Sequence, residues 1–541
     1  MKRILVPGHG FLNSADQREI MAFARNGATR RDVLRGLVAA GIGAGVAGTV
    51  LSSVTRAYAE TPKKGGTLRV AGGVSSNADT LDPAVFGNST DYSRGFMFYN
   101  GLTTLDSKLA AQPGLASSWD HDGTSKVWTF KLRDDVRFHD GKGFSAQDAV
   151  YSLLRHKDPN VGSKANVISG QIESARAASP TELEITLVAG NADLPVLLGT
   201  PHFLIIQDGQ TDFAKPVGTG PYKVEEFTPG VRSLAVRNED YWKDGQPYLD
   251  AIEFFGLSEE NARLNALLSG DVQLTTTINP RSIPQLEANP DMRLFETKGG
   301  TYTDMIMRQD SQPTGNADFV LGMKYLMNRQ LVRNSVFREY AVIANDHPID
   351  PTNPFFAADL PQRPYDPEKA KFHFEKAGVL GTTIPMVVSE TARASIEIGT
   401  IMQQDAADLG LNIELQRVPI DGYWSNYWMK VPLGFGTLTP RPTADMMLSL
   451  LYKSDAAWNE AGWKNEKFDQ LLLAARVEAD FDKRRQMYAD MQYLIHEFGG
   501  TAIPTFYSNL DAHHASLKGL VPIPTGNMMG YNFAEHVWLE A

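Results

Sequence analysis

The chain has 541 residues and no cysteine, which excludes disulfides, thiolate metal sites, cysteine nucleophiles and the lipid anchor of a bacterial lipoprotein. Hydrophobic residues make up 42% and charged residues 21%, ordinary values for a soluble globular protein, and the length predicts at least two domains. The formal net charge of −11 makes the chain a poor binder of polyanions, so nucleic acid is not an expected partner.

The first 59 residues predict an export signal. They contain eight basic and three acidic residues, so the acidic excess lies in the rest of the chain. The pair Arg30-Arg31 precedes a mildly apolar run over residues 36–54, and the triplet Ala57-Tyr58-Ala59 follows it. This pattern is typical of a twin-arginine signal peptide, and it predicts cleavage after Ala59 and a periplasmic protein without a lipid anchor. An internal helix or a membrane anchor is the alternative, but the glycines of the run disfavour both, since each costs about 1 kcal/mol in a helix.

Strand and helix patterns interleave along the remaining chain. Alternating apolar residues predict strands at 66–71, 127–132 and 183–187. Helical periodicity predicts helices at 145–154, 261–268, 318–332, 367–377, 395–409, 467–475 and 482–498. Residues 216–220 and the segment 345–364, which holds five prolines, predict turns and loops. Interleaved strands and helices place the chain in the α/β class.

An ordered series of motifs gives the chain a family resemblance. The most distinctive run is WTFKLRDDVRFHDG at 128–141, followed by FSAQDAVYS at 144–152. Further motifs lie in the family's order at 81–84, 99–102, 113–119, 218–222, 238–250, 264–272 and 365–370. Together they resemble bacterial solute-binding protein family 5, the dipeptide- and oligopeptide-binding proteins of ABC importers, over residues 65–535.

The resemblance implies a two-lobed periplasmic-binding-protein clamshell of the type II-like, cluster C form. The first lobe is expected to hold residues 60–305 and 505–541, with a subdomain inserted at about 98–215, and the second lobe residues 306–504. The implied function is the periplasmic substrate-binding component of an ABC importer. Such a protein captures dipeptides or short oligopeptides by lobe closure and delivers them to permease subunits in the inner membrane. A monomer is expected.

A zwitterionic peptide needs an acceptor for its ammonium and a donor for its carboxylate, because a buried unpaired charge costs several kcal/mol. In the dipeptide-binding proteins that the chain resembles, the aspartate that pairs with the ammonium stands where this chain has Asp445. A carboxylate-binding arginine stands where it has Arg393. Arg441 admits two interpretations: it pairs with Asp445, four residues away, or it faces the cleft and binds a second negative charge of the ligand.

Other residues are predicted to contact the ligand less specifically. Tyr423 and Trp424 are predicted as pocket walls, because aromatic rings offer a large contact area to many side chains. Packing in the core of the lobe is the alternative for each ring. Ser76 and Asn77 are predicted to offer hydrogen bonds from the other lobe.

No catalytic residue, metal ligand or cofactor is predicted. The sequence contains no Gly-x-Ser-x-Gly elbow, phosphate loop or dinucleotide fingerprint, and its histidines lack the spacing of a zinc site. The chain is therefore not expected to be an enzyme. The same fold binding a non-peptide solute, such as an opine, a modified amino acid, nickel or haem, remains an alternative, and a secreted hydrolase is a less favoured one.

Overall fold

The computed structural model describes residues 62–419 and 421–540. The predicted signal peptide and its cleavage site lie outside the described residues. Within the described ranges, every helix is too short or too polar to cross a membrane.

Strands are distributed along the whole described chain. They are β1 (Thr67–Gly72), β2 (Thr103–Leu105), β3 (Ala111–Pro113), β4 (Ala116–His121), β5 (Val127–Leu132), β6 (Ile172–Ser179), β7 (Glu182–Leu187), β8 (Tyr222–Thr228), β9 (Arg232–Arg237), β10 (Ala251–Gly256), β11 (Leu274–Thr275), β12 (Met292–Met307), β13 (Ala341–Ile343), β14 (Thr383–Val388), β15 (Asn412–Arg417), β16 (Leu433–Leu438), β17 (Thr501–Ala502), β18 (Thr505–His514), β19 (Leu517–Lys518) and β20 (Trp538–Leu539).

Helices interleave with these strands. They are α1 (Ser89–Phe98), α2 (Ala146–Leu154), α3 (Asn166–Ser169), α4 (Leu194–Leu197), α5 (Glu260–Leu268), α6 (Ile283–Glu287), α7 (Ala317–Leu326), α8 (Arg329–Leu331), α9 (Pro367–Ala377), α10 (Ser395–Asp408), α11 (Tyr423–Asn426), α12 (Ala444–Leu451), α13 (Glu466–Val477), α14 (Phe481–Phe498) and α15 (Asn527–Gly530).

Local sequence explains most of these elements. In β5 the side chains of Trp128, Phe130 and Leu132 are buried at every second position, as period-2 alternation predicts. Ser145 is the N-cap of α2 and forms a capping box with Asp148, which satisfies backbone donors at the helix start. These elements therefore follow from periodicity and capping alone.

The helix predicted over 318–332 is interrupted. α7 ends before Met327, whose backbone is extended, and Asn328 begins α8 by accepting a hydrogen bond from the Leu331 amide. A five-residue π-helix, Val332–Val336, continues the chain. The apolar pattern runs across this break because both helices bury the same face, so periodicity predicts one helix where Asn328 starts a second.

One sheet of ten strands runs through the molecule. Its order is β16-β12-β18-β11-β1-β10-β9-β8, with β13 beside β18 and β17 beside β12. β1 pairs in parallel with β10 and β11, whereas β12 and β18 are long antiparallel partners. A separate four-stranded antiparallel sheet, β4-β5-β7-β6, covers α2.

Buried hydrophobic side chains form cores on two sides of the long strands. On one side, the buried core residues come only from 68–292 and 510–537, and we call this part the first lobe. On the other side, they come from 302–507, and we call this part the second lobe. The four-stranded sheet has its own core, drawn from residues 102–205, within the first lobe.

The two phenylalanines of α9 provide a matched test of the second-lobe core. Phe374 is fully buried against Phe319 and against Gly322, where a Cβ atom would lie 2.5 Å from the Phe374 ring. We expect Phe374→Ala to lower the free energy of unfolding by about 3–5 kcal/mol, because it leaves a cavity.

Phe372, two residues earlier, is 57% exposed, so Phe372→Ala should change the free energy of unfolding by less than about 1 kcal/mol. Urea unfolding followed by tryptophan fluorescence measures both variants. Equal effects of the two substitutions would contradict this packing.

Candidate functional site

The two lobes meet where β12 and β18 cross from one to the other. These strands pair from Met292↔His514 to Thr297↔Asn509 in the first lobe, and pairing resumes at Thr301↔Tyr507 in the second. We call residues 298–300, between the two paired stretches, the crossing bulge. We call the place between the lobes at this bulge the cleft, and the bulge its floor.

Both lobes contribute segments to this floor. A Cβ atom on Gly299 would lie 3.4 Å from the backbone oxygen of Pro524, in the first lobe. A Cβ atom on Gly300 would lie 2.4 Å from Asp350 Oδ2 and 3.2 Å from Pro440 Cβ, both in the second lobe. A side chain at position 300 would therefore displace the Asp350 carboxylate, and the chain segments around 350 and 440 lie directly beside the crossing bulge.

Arg441 lies between the lobes beside this bulge. Its Nη1 donates hydrogen bonds to the backbone oxygen of Thr439 at 3.2 Å and to Thr439 Oγ1 at 2.8 Å, and its Cζ lies 5.9 Å from the ring centroid of Trp458. Its charge also interacts with the hydroxyls of Tyr302 in the second lobe and Tyr92 in the first. Burial lowers the pKa of Arg441, and no carboxylate of the described residues pairs with it.

This placement does not support the interpretation that Arg441 pairs with Asp445. The predicted pair with Asp445 is absent from the described part of the chain, and the guanidinium instead donates to Thr439 and lies within electrostatic range of Tyr302 and of Tyr92 in the first lobe. An arginine that is partly removed from water without a counter-charge is a preorganised site for an anion, because its remaining donors are unused.

An aromatic series leads from the lobe interior to Arg441. Rings of Tyr423, Trp424, Trp428 and Trp458 meet edge to face, with successive centroids 5.1 Å, 5.7 Å and 5.5 Å apart. Trp424 and Trp458 are 42% and 39% exposed. Tyr423 is buried and donates its hydroxyl hydrogen to the backbone oxygen of Phe435, so its ring has no surface left for a ligand. The prediction of Tyr423 as a pocket wall is corrected, whereas Trp424 presents an open ring.

Asp445 is occupied by a partner inside the second lobe. Both of its carboxylate oxygens accept hydrogen bonds from Arg476 Nε at 3.1 Å, and Arg476 Nη2 also donates to Ser449 Oγ at 2.7 Å. Burial raises the pKa of Asp445 to about 6, against the lowering effect of Arg476. The carboxylate is therefore not available as the ammonium acceptor that the resemblance implies.

The same region joins the second lobe to the subdomain of the first. Arg484 on α14 forms an ion pair with Asp193 at 2.7 Å, and both side chains are buried. The Ala192 amide donates a hydrogen bond to the backbone oxygen of Arg476 at 2.9 Å. The ion pair of Asp445 with Arg476 thus lies next to contacts between the lobes.

Arg393 lies at the same end of the second lobe but on the opposite face of the sheet. Its Cζ is 4.4 Å from the ring centroid of Tyr507, and its backbone oxygen accepts a hydrogen bond from Thr303 Oγ1 at 2.6 Å. Arg441 follows Pro440, which lies against Gly300, and Gly300 and Tyr302 face the side of the strand opposite to Thr303, because adjacent residues of a strand face opposite sides. The structure therefore separates the two predicted arginines by the thickness of the sheet.

Ser76 and Asn77 form an exposed turn in the first lobe. The Ser76 amide donates to Asp79 Oδ1 at 2.9 Å, and Asp79 is held by buried Arg94 at 2.9 Å. A Cβ atom on Gly230 would lie 3.0 Å from Asn77 Oδ1, so the turn packs against the β8–β9 hairpin. The structure does not bring this turn together with Arg441.

Sequence patterns missed three side chains near the cleft. Tyr92 lies in a helix and stacks edge to face with Tyr531, and Trp458 lies in a loop. Asp350 lies in the proline-rich segment that the sequence predicted only as a loop. No periodic pattern in the sequence marks these three residues, because each side chain is placed by a contact with a distant segment of the chain.

The described residues contain no group of three or more His, Asp or Glu side chains that could hold a metal ion. A cavity of about 560 Å³ is lined by nine residues between His156 and Gly170. Because all lining residues come from one segment of the first lobe, this cavity is not part of the cleft.

Comparison with known proteins identifies the family. The model of "Bacterial extracellular solute-binding proteins, family 5 Middle" matches residues 110–460. This chain belongs to that family. It is accordingly a solute-binding component of an ABC importer, with the two-lobed fold of periplasmic binding proteins. Such components bind a small ligand and deliver it to a membrane permease.

Individual relatives are distant but similar over nearly their whole length. The glutathione-binding protein GsiB of Escherichia coli K12 is 25% identical over 85% of this chain and 93% of its own. The periplasmic binding protein DppA of Helicobacter pylori, solved with the peptide STSA, has a TM-score of 0.72 and 23% identity, covering 88% of this chain and 99% of its own. AgaA of A. tumefaciens R10, solved with agropinic acid, has a TM-score of 0.71 and 21% identity, covering 88% and 99%.

The buried Asp445 predicts a specific pH dependence. Its pKa is about 6 in the folded protein against an ordinary value of 3.8, so the folded state binds this proton more tightly than the unfolded chain does. The contribution of Asp445 to stability therefore falls as pH rises from about 4 to about 6.

Thermal unfolding of the wild type and Asp445→Asn at pH 4, 5, 6 and 7 measures this contribution. We expect the wild-type melting temperature minus that of the variant to fall across this window. A difference that is constant or rises with pH would show that burial does not dominate at Asp445.

Proposed function

We propose that this protein captures short peptides or peptide-like solutes in the periplasm and that Arg441 binds a carboxylate of the solute between the closing lobes. The observation that carries the proposal is the placement of Arg441: it follows Pro440, which lies beside the crossing bulge, it is partly buried, and it lacks an acidic partner among the described residues. A free carboxylate, present at the C-terminus of every peptide, is the simplest counter-charge.

The surroundings of Arg441 suit a small organic solute. Trp458 and Trp424 offer exposed rings that pack against side chains of varied chemistry. Thr439 Oγ1 accepts a hydrogen bond from the guanidinium of Arg441, so the orientation of the guanidinium is set before a ligand binds. Preorganisation of this kind reduces the entropy lost on binding.

Lobe closure follows from the same contacts. A carboxylate bound by Arg441 lies beside Tyr92, so a solute there contacts both lobes and favours the closed arrangement. The Asp193–Arg484 ion pair and the Ala192–Arg476 hydrogen bond are further contacts between the lobes. In this proposal the closed form is the one that docks on the permease subunits, and the protein acts as a monomer.

A non-peptide acid is the second candidate solute. The predicted ammonium acceptor Asp445 is occupied by Arg476, so an acid without an ammonium group would lose nothing at that position. The structural neighbour AgaA was solved with agropinic acid, which supports an acid as the second candidate. The charge at the amino end of the solute therefore distinguishes the two candidates.

The proposal extends to the domain boundaries and the export route. Lobe boundaries near residues 305 and 505 are supported by the division of the buried cores on either side of 293–301 and 508–509. The Arg30-Arg31 pair and the Ala57-Tyr58-Ala59 triplet support twin-arginine export and cleavage after Ala59.

Replacement of Arg441 tests the carboxylate site. We expect Arg441→Gln to weaken binding of Ala-Ala and Ala-Ala-Ala by about 10- to 100-fold, because a hydrogen bond between charged groups contributes about 1.5–3 kcal/mol. Binding of the C-terminally amidated peptides should be weak in the wild type and should change little in the variant. Isothermal titration calorimetry on the mature protein measures the affinity of the wild type and of Arg441→Gln, each for the free-acid and for the amidated peptides.

Arg137→Gln is the matched control, since Arg137 is an exposed arginine of the first lobe that donates only to the backbone oxygen of Gly141. It should leave peptide affinity within about twofold of the wild type. Equal affinity of the wild type and Arg441→Gln for free-acid peptides would remove Arg441 from the site.

Replacement of the paired arginines tests export. We expect the double substitution Arg30→Lys with Arg31→Lys to abolish the mature protein in the periplasmic fraction and to leave full-length precursor in the cytoplasm. Cell fractionation with immunoblotting measures this, and N-terminal sequencing of the wild-type mature protein should begin at Glu60. Unchanged periplasmic protein would indicate another export route.

A further inference from the structure

Asp350 lies in the proline-rich segment beside the crossing bulge. The residue is 6% exposed, and Ile349 before it packs into the second-lobe core. Its Oδ1 accepts hydrogen bonds from the Thr352 amide at 2.9 Å and from Thr352 Oγ1 at 2.5 Å. These two bonds fix the orientation of the carboxylate.

The second oxygen of Asp350 has a different environment. Oδ2 takes no hydrogen bond within residues 62–419 and 421–540 and faces Gly300, where a Cβ atom would lie 2.4 Å away. The Cβ atom of Pro440 would lie 3.2 Å from the same Cβ atom on Gly300, and Arg441 is the next residue in the sequence. The free oxygen therefore lies at the floor of the cleft, on the face of the sheet that also carries Arg441.

No cation of the described residues interacts with the buried carboxylate of Asp350. Burial raises its pKa, and only the hydrogen bonds of Thr352 and a backbone contact oppose this effect. Asp346, four residues earlier, shows the ordinary arrangement. It pairs with Arg329 and Arg363, and although burial raises its pKa, these charges and that of Lys324 lower it to about 2.

Other acids near the cleft either pair with a cation or interact with another acid, although neither oxygen of Asp304 accepts a hydrogen bond within the described residues. Asp445 is held by Arg476. Asp304 and Glu460 are buried beneath Trp428, which donates to Glu460 Oε1 at 2.6 Å, and the two carboxyl groups interact with each other. Asp350 is thus the acid that combines burial, a position beside the crossing bulge and an unused oxygen.

We propose that Asp350 binds the ammonium group of the solute, so that Asp350 and Arg441 together select a zwitterion on one face of the second lobe. An ammonium group on Oδ2 supplies the missing hydrogen-bond donor and the missing counter-charge at once. The solute class is then a short peptide or amino-acid derivative with a free amine and a free carboxylate. This inference rests on the proposed function and assigns the role that the resemblance gave to Asp445.

Acetylation of the ligand tests the proposal on the wild-type protein. The probes are Ala-Ala, Ala-Ala-Ala and glutathione, each with its N-acetylated counterpart, titrated by isothermal titration calorimetry. We expect N-acetylation to weaken binding at least tenfold, because the acetyl amide is neutral and leaves Oδ2 without a counter-charge. A loss below threefold overturns the proposal without the use of any variant.

Asp350→Asn, which preserves shape and removes the charge, identifies the residue. We expect this variant to bind the free-amine probes about 10- to 100-fold more weakly than the wild type and to bind the acetylated probes equally well. Asp148→Asn is the matched control, since Asp148 is a fully buried acid that caps α2 away from the cleft. It should leave both affinities unchanged.

The outcomes separate this inference from the proposed function. If the wild type binds the free-amine probes and Asp350→Asn binds them equally well, the assignment of Asp350 is wrong and peptide capture stands. If the wild type binds none of the peptides, with or without the acetyl group, the proposed function and this inference both fail. Preference of the wild type for the acetylated probes would overturn the ammonium role and favour a non-peptide acid.

Discussion

The crossing of β12 and β18 is the constraint on which the rest of the structure depends. These two strands belong to a single sheet whose other strands are divided between the lobes, so both lobes share one set of backbone hydrogen bonds. The ladder is interrupted between Thr297 and Thr301, and a side chain at position 300 of the bulge left there would displace the Asp350 carboxylate. A bend in the sheet and close approach of the segments around 350 and 440 follow from that one interruption.

The distribution of buried charge separates structural ion pairs from unpaired groups. Asp193 with Arg484, Asp445 with Arg476, and Asp346 with Arg329 and Arg363 each have a counter-charge within 3.1 Å. Arg441 and Asp350 have none among the described residues, although both lie beside the crossing bulge. Removing charge from water without compensation is unfavourable, so unpaired groups persist where a partner arrives from outside.

Sequence patterns predicted most elements but only part of the candidate site. The helices α2, α9 and α14 follow from capping and apolar spacing, and the motifs identified the family that the comparison confirms. Asp445 was placed by resemblance alone, and its partner Arg476 is 31 residues away along the chain. Tyr423 and Trp424 are adjacent in sequence, yet the side chain of Tyr423 is buried in the core and that of Trp424 is exposed. Local pattern cannot separate these cases, because burial depends on packing between distant segments.

The amino-acid sequence by itself determined the α/β class, the family, the position of most helices and strands, and the lack of any thiol chemistry. Those properties depend on local periodicity, on composition and on ordered motifs. Only the tertiary structure decided which charges are satisfied within the protein. It placed Arg476 on Asp445, left Arg441 without an acidic partner among the described residues, and brought Asp350 against Gly300. Whether a charge is paired depends on distances between segments far apart along the chain, and these distances exist only once the lobes have folded around the β12–β18 crossing.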